Sequence, residues 1–258
     1  MAERIGERRE RRARRAATIT IVSLTLAVLS ALAVGLSGPA HRFGLLSTRW
    51  AIGVFGVAGL VSLAAAGLAL VGIVLALPSR ASRSVAGAAL ALVIGLAAGW
   101  TPLVMARTGA KVPLIHDITT DTGRPPQWVA LRSQRATAEN GAAYGGAPVA
   151  TLQKRGYPDL APLILPVPPD RAFARAEAAA RSMGWRIVAA APAEGRLEAS
   201  DTTRWFGFTD DIVVRVTAAP NGSRIDVRSG SRVGRSDLGV NARRIRAYLA
   251  RVADAGVR

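Results

Sequence analysis

The sequence contains no cysteine in 258 residues and only two histidines. The first absence excludes a disulfide scaffold, cysteine-based zinc sites and thiol nucleophiles. The second leaves a catalytic zinc centre short of ligands, since such centres take three protein side chains, often several His or Cys. A third absence is regional: residues 17–107 hold five Arg and not one Asp or Glu. Globular domains are about a quarter charged, so a stretch of that length without a carboxylate excludes a wholly soluble protein. No Gly-x-Ser-x-Gly and no Gly-x-Gly-x-x-Gly occurs, which lowers hydrolase and dinucleotide readings.

The charge that is present falls in blocks. Overall, 34 Lys+Arg face 17 Asp+Glu, a formal charge of +17. Residues 1–16 form a basic tail with seven Arg and three Glu, while residues 108–258 hold 22 basic and 14 acidic side chains. Between them lie three apolar runs, about 17–37, 51–77 and 85–106. Each can supply the roughly 20 residues that a helix needs to cross about 30 Å of hydrocarbon. The first run is too long for a signal-peptide core and lacks a good small-x-small cleavage site, so it reads as an uncleaved anchor. Seven Arg before helix one, with Arg80 and Arg83 in the second loop, place the N-terminus in the cytoplasm. The expectation is a multi-pass protein of the cytoplasmic (inner) membrane with its C-terminal part on the periplasmic or exterior side. The spans lack the ionisable residues that mark ion and proton paths. Glycines recur instead (Gly53, Gly56, Gly59, Gly67 and Gly72, then Gly87, Gly95 and Gly99) and allow close helix packing, within the chain or with a partner helix.

Residues 108–169 carry nine of the fourteen prolines and read as an extended segment, with a regular α+β core over 170–258. Asp170 opens an amphipathic helix that ends at Gly184. Strand-like runs follow at 185–191, 196–200, 212–217 and 223–229, the last after the turn Pro220-Asn221-Gly222, which places Ser223 in an exposed turn. A closing helix begins near Ser236 with Leu238, Ala242, Ile245, Leu249 and Val252 on one face. This order implies a four-stranded antiparallel sheet with helices on one face.

Four runs resemble a known family: IHDITTDTGRPPQW (115–128), WRIVAA (185–190), WFGFTDDIVVRV (205–216) and SRIDVRSGSRVGRSDLGVNARRIRAYL (223–249). They are similar to the domain of unknown function numbered 1499 (DUF1499), over roughly residues 110–252, and the three-helix front resembles its membrane-anchored members. The resemblance implies a domain boundary and carries no activity or catalytic residues.

The candidate sites come from the residues themselves. Ser229 to Asp237 runs from a strand into a helix, with Arg232 and Arg235 among small residues. Such a loop can bind a phosphate or carboxylate, with Arg228, Arg232, Arg235 and Asp237 as the ligand-binding set. It can equally be a structural turn in which Ser236 or Asp237 caps the helix. Arg215, Arg224, Arg228 and Arg196 are expected beside Glu198 and Asp226 on an outer, solvated sheet face. His116, Asp117 and Asp121 offer one imidazole and two carboxylates, too few for zinc, so no metal or other cofactor is expected. His116, Asp117 and Asp211 are the weak catalytic candidates. Asp210 and Asp211, adjacent in a strand, point to opposite faces and make a poor carboxylate pair. Trp205, Phe206 and Phe208 cluster at a hairpin tip, as core or as a partner or bilayer contact. These readings imply a non-enzymatic envelope module for an anionic ligand or an envelope protein, with membrane lipid as a partner and nucleic acid excluded. The alternative is an envelope hydrolase or transferase with carboxylate chemistry at an Arg-lined anion site.

Overall fold

The computed structural model describes residues 2–79 and 81–254 and divides into two compact units, residues 1–108 and 109–258. Unit one is three helices, α1 (Ala2–Arg42), α2 (Thr48–Ala76) and α3 (Ser82–Gly109), all long and apolar enough to cross a membrane. The basic tail is itself helical and continuous with the first span. Arg80, one of the two basic residues in the second loop, lies outside the described residues.

On α1 the buried side chains are Ala16, Thr20, Ser23, Ala27, Ser30, Val34 and Ser37, spaced alternately by four and three. That is the seam of a left-handed helix pair, and it is lined with small and hydroxyl side chains. Ser62 on α2 donates to Ser30 at 2.8 Å, and Thr20 donates to the Ser84 carbonyl at 3.1 Å. Three of the eight glycines sit where α2 and α3 approach too closely to admit a Cβ. A Cβ at Gly95 would lie 2.5 Å from the Ser62 carbonyl oxygen, and Gly59 and Gly99 would clash with Pro102 and Leu63. Gly53, Gly56 and Gly67 meet nothing within 4 Å.

Unit two is a six-stranded antiparallel sheet, β1 (Asp117–Thr119), β2 (Leu163–Leu165), β3 (Arg186–Ala191), β4 (Arg196–Thr202), β5 (Thr209–Ala219) and β6 (Gly222–Ser231). Its order is β1-β6-β5-β4-β3, and β2 pairs with the other half of the β6 edge that β1 uses. The two additional strands come from the proline-rich segment, which is not simply extended: it also forms α4 (Arg132–Ala136) and α5 (Gly146–Gly156). Alternation along the strands divides the sheet faces. Leu197, Ala199, Ile212, Val214, Val216, Ile225 and Val227 face α6 (Pro169–Ser182) and α7 (Val240–Asp254) in one apolar core. Phe173 and Ala176 enter that core from α6, and Ile245 and Val252 from α7. Trp185 stacks on Tyr248 at 4.8 Å, and the buried Tyr248 hydroxyl donates to the Ala176 carbonyl.

Two expectations change here. The closing helix starts at Val240 because Ser236 to Gly239 turn first, with Leu238 at φ 52°. Ser223 is buried, its hydroxyl donating to the Val167 carbonyl at 2.7 Å, because β2 pairs alongside it.

Replacing Gly95 by Leu is expected to destabilise the helical unit by on the order of 1–3 kcal/mol, as overpacking does. Replacing Gly67 by Leu should cost little, and thermal unfolding of the two full-length variants in detergent checks the contrast.

Candidate functional site

The second face of the sheet carries charge where the first carries hydrocarbon. Glu198, Asp211, Val213, Arg215, Asp226, Arg228 and Gly230 alternate with the core residues on β4, β5 and β6. The expectation of a solvated outer face is overturned. Glu198, Asp211 and Arg228 are 0% exposed, because residues 120–145 fold back over this face. A buried charge is tolerated only when paired and hydrogen-bonded, and the covering segment supplies the partners.

Glu198 fixes the start of the cover. Its carboxylate accepts from the backbone N–H groups of Val129, Ala130 and Leu131, at 2.9–3.2 Å, and from Arg196. Trp128 and Leu131 then pack on Val213. Arg228 on β6 makes a bidentate pair with Asp117 on β1, at 3.0 and 2.7 Å. It also donates to the carbonyls of Pro126 and Ala142 at 3.2 Å, so one guanidinium binds the sheet edge and two points of the cover. The guanidinium carbons of Arg228 and Arg135 lie 4.8 and 4.6 Å from the Trp128 ring centroid, within cation–π range. The Tyr144 ring lies 5.5 Å from Arg228. Burial, with Asp117 nearby, pushes the Tyr144 hydroxyl up to about 12, so it stays neutral.

A second chain of charges continues from there. Arg135 on α4 donates to Asp211 at 3.1 Å and to the Gly230 carbonyl at 2.9 Å. A Cβ at residue 230 would sit 3.3 Å from both the Arg135 guanidinium and the Asp117 carboxylate, tight enough that these side chains would have to shift by a few tenths of an ångström. Burial pulls Arg135 below its usual value while Asp211 and Asp117 oppose it, and a guanidinium remains a cation throughout. Asp211 also accepts two bonds from Arg232, at 2.9 and 2.8 Å, and Arg232 reaches Gln134 at 2.8 Å. Arg232, 22% exposed, is where this chain of charges meets solvent.

A separate cluster joins Asp121, Arg215, Asp226 and Arg224 at 2.9–3.1 Å. Burial tends to raise the Asp121 carboxyl, but the Arg124 N–H, Arg224, Arg215 and the Gly123 N–H outweigh it and hold it below the ordinary value. On the helix side, Arg244 bonds Asp210, Asp201, Ser229 and Asn241.

The proposed ligand set is therefore dispersed. Arg228 is sealed inside, and Arg232 is bonded to Asp211 and Gln134 while part of its side chain stays exposed. Asp237 accepts the N–H groups of Gly239 and Asn241 at 2.9 and 2.7 Å, the capping role. Burial raises its carboxyl, against those two bonds. Arg235 stands exposed on the loop. The catalytic candidates do not converge either. Asp117 and Asp121 belong to different arginines, Asp211 holds two, and His116 engages β6 and α7 through its carbonyl, which accepts from Ser231 and Asn241. Asp210 and Asp211 do point to opposite faces, toward Arg244 and Arg135 respectively. Among the described residues no three His, Cys, Asp or Glu side chains group as metal ligands. A half-open cleft of about 360 Å³, with Thr120, Gln153, Lys154 and Tyr157 in its walls, includes no member of the Asp117–Arg228 or Arg135–Asp211 pairs.

Sequence reasoning missed Trp128, Arg135, Gln134 and Tyr144. The available signal was the charged face itself: Glu198, Asp211, Asp226 and Arg228 share strand parity on a sheet whose other face is apolar. A proline-stiffened segment with its own Trp lay upstream to cover it.

Three membrane-length helices followed by an antiparallel α+β domain with a charge-lined, covered face define a membrane-anchored domain. Residues 117–252, 136 of the 258, match the family described as "Protein of unknown function (DUF1499)", and the chain belongs to it. No curated protein and no solved structure matches the chain.

Replacing Arg228 by Ala leaves the Asp117 carboxylate buried and unpaired, an expected loss of about 3–5 kcal/mol. The double variant Arg228→Met/Asp117→Leu should lose less than either single change, because no charge is left stranded. Denaturant unfolding of the full chain, followed by near-ultraviolet circular dichroism, reads the difference.

Proposed function

We propose that this protein is a non-enzymatic binding module of the cell envelope, anchored in the cytoplasmic membrane and displaying its folded domain on the periplasmic or exterior side. The domain captures an anionic ligand, or an anionic group on an envelope partner, at the loop that carries Arg232 and Arg235. The observation that carries this reading is a charge imbalance. The network under the cover joins three guanidiniums, Arg135, Arg228 and Arg232, to two carboxylates, Asp117 and Asp211. One positive charge is left over, and it meets solvent only at Arg232. An exposed anion there gains a charge-assisted bond, and Arg235 on the same loop adds a second donor. The buried carboxylates of the domain, by contrast, already accept from arginines or backbone N–H groups. That arrangement favours binding over carboxylate chemistry, because a general base needs a carboxylate free to take a proton.

Arg232 also supports Asp211, so Arg235 is the cleaner test. In the full chain in detergent, Arg235→Ala is expected to weaken binding of inorganic phosphate and of citrate roughly tenfold, with the unfolding temperature unchanged. Calorimetric titration measures this, and equal affinity in the variant overturns the site.

The proposed side of the membrane rests on the seven Arg in the N-terminal turns of α1, ahead of its apolar span. Asn221, exposed in the β5–β6 turn of a chain without cysteine, accepts a single-Cys replacement. A membrane-impermeant maleimide should label Asn221→Cys in intact cells. Labelling only after lysis reverses the topology.

A further inference from the structure

One end of the sheet differs from the rest of the domain. The chain enters β1 at Asp117, which pairs with Gly230 near the end of β6, and Asp210 pairs with Ser231 near the start of β5. The 203–208 turn between β4 and β5, the 232–239 loop and the chain before β1 therefore all lie at this end. Two large apolar side chains project there into solvent, Trp205 at 52% exposure and Leu114 at 58%. Gly207, at φ 73°, closes the turn, and Phe206 stacks on Phe208 at 4.9 Å, which fixes the base from which Trp205 projects. Residues 110–116, 203–208 and 232–239 contain Lys111, Arg204, Arg232 and Arg235 and one acid, the buried Asp237, which accepts the Gly239 and Asn241 N–H groups, while Asp201 at the end of β4 is paired with Arg244. Glu139, exposed beside Asn140, borders the patch through the bonds of Asn140 to Ser231 and Gly234.

We infer that this end of the domain rests in the headgroup interface of the bilayer, with Trp205 inserted at its boundary with the acyl chains. Three arguments converge on lipid as the occupant. First, Trp combines a large apolar ring with one polar N–H and concentrates at membrane–water interfaces. Second, the cationic rim complements anionic headgroups, whose surface potential attracts each Lys or Arg held near it. Third, the third apolar helix ends at Gly109 and β1 begins at Asp117. Eight peptide units extend at most about 28 Å, so β1, which the chain enters at the Trp205 end of the sheet, is joined to the third apolar helix by no more than that length of chain. The Trp205 and Leu114 contact does not depend on anion capture at Arg235, because the apolar part of it needs no charged lipid.

The test uses the full chain in liposomes. Trp205→Phe replaces the exposed indole with a phenyl ring and leaves the stacked Phe206–Phe208 pair in place. Subtracting its emission from that of the wild type isolates the signal of Trp205 from those of the other four tryptophans. In vesicles of phosphatidylcholine, and in vesicles with added phosphatidylglycerol, the Trp205 signal is expected to be quenched by lipids brominated on the upper acyl chain and shielded from acrylamide. Quenching by acrylamide with no effect of bromolipid overturns the inference. So does shielding from both quenchers, which a second copy of the chain seated on the tip would produce. Quenching by bromolipid in both lipid mixtures, together with unchanged phosphate affinity in Arg235→Ala, would keep the bilayer contact and discard the anion site.

Discussion

The pairing of Arg228 with Asp117 across the β1–β6 edge organises the domain more than any apolar contact does. An unpaired guanidinium at a fully buried position is costly enough that its surroundings must satisfy it. Here the surroundings are two carbonyls of the cover, Pro126 and Ala142, and the rings of Trp128 and Tyr144. The cover is thus held by directional bonds to charges. On the opposite face α6 and α7 are held by area, which is non-directional. The two faces of one sheet divide the work: burial supplies most of the free energy, and the charge network specifies the path of a proline-rich segment that has little regular structure to direct it.

That division explains what could be read from residues alone. The helix spans were legible because length and the absence of charge suffice to define them. The strands at 196–200, 212–217 and 223–229 and the helix over 170–182 were legible because one apolar face repeats with the right period. Ser223 and Arg228 were misplaced for a shared reason. Polar residues on alternate strand positions normally mean solvent, and only segments far upstream, Val167 for Ser223 and Asp117, Pro126 and Ala142 for Arg228, convert them into buried partners. The short strands Asp117–Thr119 and Leu163–Leu165 have no pattern of their own, because their edges are defined by β6. The site followed the same rule: Arg232, Arg235 and Asp237 are close in sequence, yet Arg232 bonds Asp211, Asp237 accepts the Gly239 and Asn241 N–H groups and Arg235 stands exposed, and no local motif records that.

The membrane-spanning unit shows a related economy. Its seam relies on small residues and a few hydroxyls, which suits a setting where lipid is as apolar as any side chain and close approach supplies the attraction. Gly95 and Gly59 are used in this way, whereas Gly53 and Gly67 face outward with nothing against them. Glycine content alone therefore did not reveal which positions carry the packing.

The reach of the Arg228–Asp117 bond along the chain, 111 residues, has a kinetic consequence. Chains emerge during synthesis at about 5–20 residues per second, so Asp117 precedes its partner by roughly 6–20 s. Through that interval β1, Trp128 and the rest of the cover have no sheet to lie on, and the N–H groups that Glu198 will hold are without an acceptor. Such non-local pairing makes folding slow. The domain can close only after β6 has been made, so nearly all of it must wait, unfolded beside the membrane, for its last strand.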